Sequence, residues 1–302
     1  MKHVVFLLLF IFSLSTRAQQ HIIVLGIAQD GGFPHIGCQN YCRLAHNDPS
    51  IAKFVVSLAL VDEASKKWWL FEATPDMPRQ LQYFQELTDN QYEYLPDGIF
   101  ITHAHMGHYT GLMHLGREAL GAKAIKVFTL PKMGEFLASN GPWSQLVSLE
   151  NIAIHPLDTV NSISLSSDIK ISTFQVPHRD EFSETAGFHI ATETSSYLFI
   201  PDIDKWANWE RDIVKQVQKV DHAFLDATFY QDGELPNRSM HEVPHPFVEE
   251  TMALFQHESA KTKNKVVFIH LNHTNPLLFD NSAKAAVESS GFRLAIQGSR
   301  YR

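Results

Sequence analysis

Five apolar segments of this chain each end at a histidine or an aspartate, and this pattern restricts the fold more than any other feature. The residues at these ends are His103, His178, Asp202, Asp226 and His270. Short, β-branched apolar runs are typical of buried strands. Because segments with helical spacing lie between many of these runs, the pattern predicts a layered α/β fold with sheets inside and helices outside. Polar groups at strand ends commonly form the functional site of such folds.

The first of these ends opens a dense histidine cluster, Thr-His-Ala-His-Met-Gly-His, at residues 102–108. In an extended chain His103 and His105 point to the same side, and His108 follows about one turn later. Neutral imidazole is a common ligand of zinc and also suits iron and manganese. The spacing therefore predicts a metal site, and an apolar spacing at residues 110–120 predicts a helix directly after it.

The order of the polar residues along the whole chain resembles the metallo-β-lactamase superfamily. That family has Thr-His-x-His-x-Asp-His after a strand, then a lone histidine, a bridging aspartate and a final histidine. Residues 102–108, His178, Asp202 and His270 match this order. The resemblance implies that residues 19–302 form one domain, a four-layer αβ/βα sandwich.

Two subgroups of this family look nearest. The segment Asp-Ala-Thr-Phe at residues 226–229 and the later His245 are similar to motifs of the tRNA-maturing nucleases, tRNase Z. The glycine-rich opening at residues 25–38 and the segment His-Leu-Asn-His-Thr-Asn-Pro at residues 270–276 resemble pyrroloquinoline quinone biosynthesis protein B, PqqB. The PqqB-like proteins are the nearer match.

The resemblance implies a role for each matched residue, with zinc as the expected metal, in one or two ions, and iron or manganese as alternatives. The first ion would be held by His103, His105 and His178, the second by His108 and His270, and Asp202 would bridge both. A carboxylate between two histidine sets is the usual arrangement of two-metal hydrolases.

Gly107 departs from the family pattern, which has an aspartate at that position. Without this carboxylate, the second site is expected to bind its ion more weakly, and Gly107→Asp is expected to tighten it. Three interpretations remain open: a modified but functional centre, a centre with one tight metal, and a decayed centre.

The expected activity is that of a metal-dependent hydrolase, in which metal-bound hydroxide attacks a phosphodiester, a lactone or an amide. By resemblance to the nucleases, His245 is the candidate proton donor, and Asp226 would orient it. Two alternatives remain: an iron-dependent redox enzyme of cofactor biosynthesis, and a non-catalytic metal-binding protein of the same fold.

Residues 1–18 have the features of a cleaved signal peptide: Lys2, an apolar run and the small-residue pair around Arg17. We therefore expect an exported protein, periplasmic or secreted, without a stable membrane span. A net charge of −8 and the lack of a Lys/Arg cluster disfavour nucleic acid as a partner. A small-molecule substrate is the expected partner, and the sequence predicts no oligomeric state.

Cys38 and Cys42 are the two cysteines of the chain. An oxidising compartment would permit a disulfide between them. They could also form part of a zinc clip with His35, although two thiolates and one histidine leave zinc one ligand short. The third alternative is a pair of free thiols.

Overall fold

The computed structural model describes residues 20–236 and 238–302, so the predicted signal peptide lies outside the described residues. The strands are β1 (Gln20–Gly26), β2 (Ser57–Asp62), β3 (Lys67–Phe71), β4 (Gly98–Phe100), β5 (Ile125–Thr129), β6 (Ile152–Pro156), β7 (Ile163–Ser164), β8 (Lys170–Val176), β9 (Thr185–Ala191), β10 (Ser196–Ile200), β11 (His222–Asp226), β12 (Val266–Ile269), β13 (Arg293–Leu294) and β14 (Arg300–Tyr301). The α-helices are α1 (Arg43–Asn47), α2 (Met77–Leu87), α3 (Met106–Tyr109), α4 (Pro131–Ser139), α5 (Trp143–Ser148), α6 (Ile213–Gln218), α7 (Val248–Leu254), α8 (Ala260–Lys263) and α9 (Asn281–Ser289). Short 3₁₀ helices lie at Pro49–Ile51, Thr110–Leu115, Trp206–Asn208, Met240–Glu242 and Pro276–Leu278.

These strands form two seven-stranded sheets of similar design. The first sheet has the order β14-β1-β2-β3-β4-β5-β6 and the second the order β13-β12-β11-β10-β9-β8-β7. Each sheet combines antiparallel strands with a parallel part, which is β3 to β6 in the first sheet and β10 to β13 in the second. The parallel strands carry His103, Asp202, Asp226 and His270 near their carboxyl ends, whereas His178 follows the antiparallel strand β8.

Successive side chains of β1 point to opposite faces of the first sheet, and both faces are buried. Ile22 and Val24 face the second sheet, whereas Ile23 and Leu25 pack on the outer side with α2 residues such as Leu81. The central layer between the sheets is aromatic. Phe71 lies edge-on to rings of the second sheet, with ring centroids 5.4 and 6.1 Å apart.

Helices α7 and α9 contribute Val248 and Val287 to the buried cluster that includes strand residues of the second sheet. The order of layers is therefore helix, sheet, sheet, helix, and the predicted four-layer αβ/βα sandwich is confirmed. Among the residues that the structure describes, none of the helices is long and apolar enough to cross a membrane.

The single helix predicted over residues 110–120 is wrong. The chain instead forms α3, then the 3₁₀ helix Thr110–Leu115, which ends at Gly116 in an extended conformation. Gly111 explains the tight path, since a Cβ atom there would lie 2.1 Å from the Thr74 carbonyl oxygen. Close packing of this segment against the start of α2 replaces the regular helix that its apolar spacing favours.

The two thiols at Cys38 and Cys42 are free, which disagrees with the alternative of a disulfide between them. The Cys42 amide donates a hydrogen bond to Cys38 Sγ at 3.2 Å, and the His35 amide donates one to Cys42 Sγ at 3.3 Å. Within the described ranges, these three residues are not among the groups whose ligand atoms lie within 4.8 Å of one another. The interpretation of free thiols is the one that agrees with the structure.

Candidate metal centre

Strand ends of both sheets bring six predicted ligands to one place. His103, His105 and His108 follow β4, His178 follows β8, Asp202 follows β10 and His270 follows β12. The strands β10, β11 and β12 are parallel neighbours, so Asp202, Asp226 and His270 leave the second sheet at the same edge. All but His105 are buried.

The first ligand set consists of His103, His105, His178 and Asp202, whose ligand atoms lie within 4.8 Å of one another. His105 Nδ1 is 2.8 Å from His103 Nε2 and 3.2 Å from His178 Nε2. Asp202 Oδ2 is 3.4 Å from His103 Nε2 and 3.3 Å from His178 Nε2. Zinc–nitrogen bonds of about 2.0–2.1 Å in a tetrahedron place ligand atoms about 3.3 Å apart, so this set fits a small divalent cation.

In each histidine of the first set, the outer ring nitrogen, which is the one directed away from the other ligand atoms, lies next to an oxygen atom. His103 Nδ1 lies 2.8 Å from Thr102 Oγ1, His105 Nε2 lies 2.9 Å from Glu181 Oε2, and His178 Nδ1 lies 3.2 Å from Asp204 Oδ1. Such outer partners fix the ring orientation and leave the inner nitrogen as a lone-pair donor.

The second ligand set contains a residue that sequence reasoning missed. It consists of His108, His270 and Asp30, whose ligand atoms also lie within 4.8 Å of one another. Asp30 Oδ1 is 3.5 Å from His108 Nε2, and Asp202 Oδ2 is 3.7 Å from the same nitrogen. Asp202 thus lies between the two sets, as a bridging carboxylate requires.

A second carboxylate, that of Asp30, lies at the second set beside Gly107. A Cβ atom on Gly107 would lie 2.0 Å from Asp30 Oδ1 and 2.7 Å from Asp30 Cα. The position is occupied by the side chain of Asp30, so Gly107→Asp would produce a steric clash instead of a better site.

Glu72 is a second residue that the sequence did not reveal. Its side chain is fully buried, and Glu72 Oε1 lies 3.4 Å from His108 Nδ1. Glu72 Oε2 also accepts a hydrogen bond from the Thr102 amide at 3.3 Å. Glu72 is thus a close buried carboxylate behind the His108 ring, where Asp204 is hydrogen-bonded behind the His178 ring, although Glu72 Oε1 and His108 Nδ1 do not form a hydrogen bond. The available signal was an acidic residue directly after the apolar strand β3.

Both Glu72 and His270 have left-handed backbone conformations, with φ values of 74° and 67°. Non-glycine residues rarely adopt this region, at a cost of about 1–3 kcal/mol each. Each of the two lies directly after a strand of a different sheet, where the backbone must turn the side chain towards the centre.

The two predicted catalytic residues are in contact. His245 Nδ1 lies 2.9 Å from Asp226 Oδ2 and 3.1 Å from Asp202 Oδ1. Asp226 also accepts hydrogen bonds from the Ile203 amide at 3.1 Å and the Thr228 amide at 2.8 Å. Asp226 thus fixes the loops after β10 and β11, and it orients His245 as well.

Burial and nearby carboxylates shift the pKa values of these histidines in opposite directions. Burial lowers the pKa of His245, but Asp226 and Asp202 outweigh it and raise the pKa to about 10. Burial also lowers the pKa of His178, which Asp202 and Asp204 raise to about 9. For Asp202, burial raises the pKa, but His178 and His245 hold it well below its usual range. The ionised carboxylate between these histidines is an attractive environment for a cation.

Comparison with known proteins agrees with this geometry. The model of the β-lactamase superfamily domain matches residues 67–295, so the chain belongs to that superfamily. Coenzyme PQQ synthesis protein B of Rhizobium meliloti (strain 1021) is 23% identical over 304 residues, which cover 93% of this chain and 97% of the relative.

Three solved structures have the same fold. Zinc-bound PqqB from Methylobacterium extorquens has a TM-score of 0.77 at 20% identity and covers 93% of this chain and 99% of its own. A diphosphatase of the PhnP family has a TM-score of 0.65 at 20% identity, and the match covers 93% of this chain and 96% of the diphosphatase. The short form of human tRNase Z has a TM-score of 0.59 at 15% identity, and the match covers 93% of this chain and 98% of tRNase Z. The predicted likeness to PqqB, with tRNase Z among the related structures, is confirmed.

Proposed function

We propose that this member of the β-lactamase superfamily is a metal-dependent hydrolase that acts on an ester-type bond of a small molecule: a phosphodiester, a lactone or an amide. The single observation that carries the proposal is the position of Asp202 Oδ2, within 3.7 Å of histidine nitrogens from both ligand sets. The diphosphatase and tRNase Z among the structural neighbours support hydrolysis.

Zinc is the proposed metal. His103, His105, His178 and Asp202 would hold one ion, and His108, His270 and Asp202 would hold another. Divalent ions at these positions would polarise a substrate oxygen and make water a better nucleophile at neutral pH. Nitrogen-rich donor sets with a shared carboxylate suit zinc, and the PqqB neighbour was solved with zinc bound.

His245 is proposed as the proton donor to the leaving group. Its Nδ1 is held by Asp226 and Asp202, and among the described residues no hydrogen-bond partner is seen at Nε2. The ring centroid of His245 lies 5.5 Å from that of His178 and 6.2 Å from that of His270. His245 therefore stands beside both ligand sets, with one ring nitrogen left for a substrate.

Asp226 is proposed as the residue that orients His245. Its carboxylate is fully buried and bound to the backbone on two sides, which leaves it little freedom. A fixed carboxylate keeps the Nδ1 proton in place and directs Nε2 outward, as in other carboxylate–histidine pairs.

Elemental analysis of the purified chain, followed by activity assays, tests this proposal. We expect about two zinc ions per chain and turnover of at least one of three probes: bis(p-nitrophenyl) phosphate, a simple lactone or a β-lactam. His245→Gln should retain the metal and lose about 10²–10⁴-fold in kcat, the usual contribution of a general acid. Purified protein without metal, or an unchanged kcat in His245→Gln, would contradict the proposal.

An iron-dependent oxidation is the second candidate. Two histidines and one carboxylate, the composition of the second ligand set, are the ligands typical of non-haem iron oxygenases. Iron instead of zinc in the purified protein, together with oxygen-dependent turnover, would favour this candidate. A protein that binds metal but has no turnover in either assay would favour the non-catalytic alternative.

Export is proposed from residues 1–18 alone, with cleavage after Ala18 and a periplasmic or secreted location. Mass spectrometry of the protein recovered from the extracellular or periplasmic fraction should give a chain that begins at Gln19. Recovery of the uncleaved chain from the cytoplasm alone would contradict this.

A further inference from the structure

We propose that Asp30 is a direct ligand of the second metal ion and replaces the family's carboxylate at position 107. This inference rests on the proposed function in one respect, that the centre binds divalent metal. It assigns a ligand from a loop near the start of the described chain, outside the histidine motif.

The loop that carries Asp30 is attached to the strand end that carries His270. The Leu271 amide donates to the Ile27 carbonyl at 2.8 Å, and the Gln29 amide donates to the Leu271 carbonyl at 2.9 Å. These bonds surround the residue next to His270. The backbone of Asp30 is therefore placed by the same segment that places another ligand of the set.

Four buried polar atoms of this set lack a hydrogen-bond partner among the described residues. One is His108 Nδ1, which faces Glu72 Oε1 at 3.4 Å; the other three are Asp30 Oδ1, His108 Nε2 and His270 Nε2. Buried polar atoms in native proteins are nearly always satisfied, and the exceptions commonly mark an ion or a water molecule. Asp30 Oδ1 and His108 Nε2 are 3.5 Å apart, and a ligand atom of His270 lies within 4.8 Å of ligand atoms of both residues. A shared cation would satisfy all three at once.

The outer nitrogens of the two histidines have neighbours, as ligand histidines require. His270 Nδ1 lies 2.8 Å from Thr228 Oγ1, and His108 Nδ1 lies 3.4 Å from Glu72 Oε1. Their inner nitrogens are thereby directed to the same space as Asp30 Oδ1. If the Asp30 carboxylate only capped its own loop, Oδ1 would instead accept hydrogen bonds from backbone amides.

Gly107 supplies independent support. Its missing Cβ atom points directly at the Asp30 carboxylate, at 2.0 Å from Oδ1. A side chain on residue 107 and the side chain of Asp30 therefore compete for one space. The aspartate of the family pattern would project from residue 107 into the place that Asp30 reaches from the opposite side.

The test is a substitution at each of the two residues, read out as metal binding. The variants are Asp30→Asn and Gly107→Asp. Asp48→Asn is the matched control, because it removes one negative charge from an exposed helix cap in the same part of the chain. Zinc per chain is measured by elemental analysis after dialysis, and zinc affinity by calorimetric titration of the metal-free protein.

Asp30→Asn should retain one tight zinc ion and lose at least about 100-fold in affinity for the second. Gly107→Asp alone should also lose the second ion, because the two side chains collide. The control should match the wild type.

Wild-type affinity for two zinc ions in Asp30→Asn would overturn the inference, and so would tighter binding in Gly107→Asp alone. If Gly107→Asp fails to fold, Asp30→Asn still decides the question. Wild-type protein that binds no metal would refute the proposed function itself, whereas a difference confined to the variants concerns Asp30 alone.

Discussion

The two ligand sets of the centre differ in where their residues come from in the chain. The first set takes all of its members from strand ends, and each belongs to the pattern His-x-His, His, Asp that the sequence displays. The second set combines two such histidines with Asp30, which lies in a loop 77 positions before Gly107. A ligand set is defined by the space that its side chains reach, so a motif with a missing member does not establish a defective site.

The outer partners of the two sets also differ. His105 and His178 are supported by Glu181 and Asp204, whose side chains are 48% and 21% exposed. His108 is supported by Glu72, which is fully buried. Since water weakens charge interactions at the surface more than in the interior, the second set should depend more strongly on its outer partner.

The largest expected effect is that of Asp202→Ala, which removes the carboxylate shared by both sets. Both zinc affinities should fall by more than the roughly 100-fold that loss of an outer partner costs, and activity should fall with them. Elemental analysis and titration of the metal-free protein measure this. Loss of only one ion would mean that Asp202 belongs to one set and does not bridge.

An intermediate effect is expected for Glu72→Gln, which keeps the size of the side chain but removes its charge. Affinity for the second zinc ion should fall about 10–100-fold, and affinity for the first should stay unchanged. The counterpart for the first set is Asp204→Asn, which should weaken only the first ion, by about 10-fold. If both variants weakened the same ion, the division into two sets would be incorrect.

The smallest effect is expected for Glu181→Gln, because this half-exposed carboxylate is well solvated. Affinity for the first ion should change by less than about 5-fold, in line with the weak contribution of surface ion pairs. Calorimetric titration of metal-free Glu181→Gln and Asp204→Asn with zinc compares the two affinities. A loss larger than that of Asp204→Asn would show that exposure does not govern the strength of the outer partners.

The layered fold could be read from local apolar patterns, and the clustering of the six candidate ligands was expected from the resemblance to the superfamily motif. An apolar run predicts a strand, and a polar residue after it predicts a functional side chain at that edge of the sheet. His178, Asp202 and His270 all follow this rule. The contact between His245 and Asp226 was expected by resemblance, and the structure brings the two residues together at 2.9 Å.

Asp30 could not be read in this way because its contribution depends on distant contacts. Its loop is placed by backbone hydrogen bonds between Leu271 and both Ile27 and Gln29, and the local sequence of these residues does not predict that pairing. Glu72 does follow the strand-end rule, directly after β3, and was overlooked. The helix over residues 110–120 failed for the same reason as Asp30, since close packing at Gly111 overrides local spacing.

The shared space between Gly107 and Asp30 has a consequence for how such chains diverge. Two positions far apart in the sequence share one space, so a side chain at position 107 requires residue 30 to be smaller and its backbone to shift. Among relatives of this chain, we expect carboxylates at positions 30 and 107 to exclude each other, so that each lineage has one of them. An alignment that scores each position separately would record a changed residue at both positions, although the metal centre keeps one carboxylate.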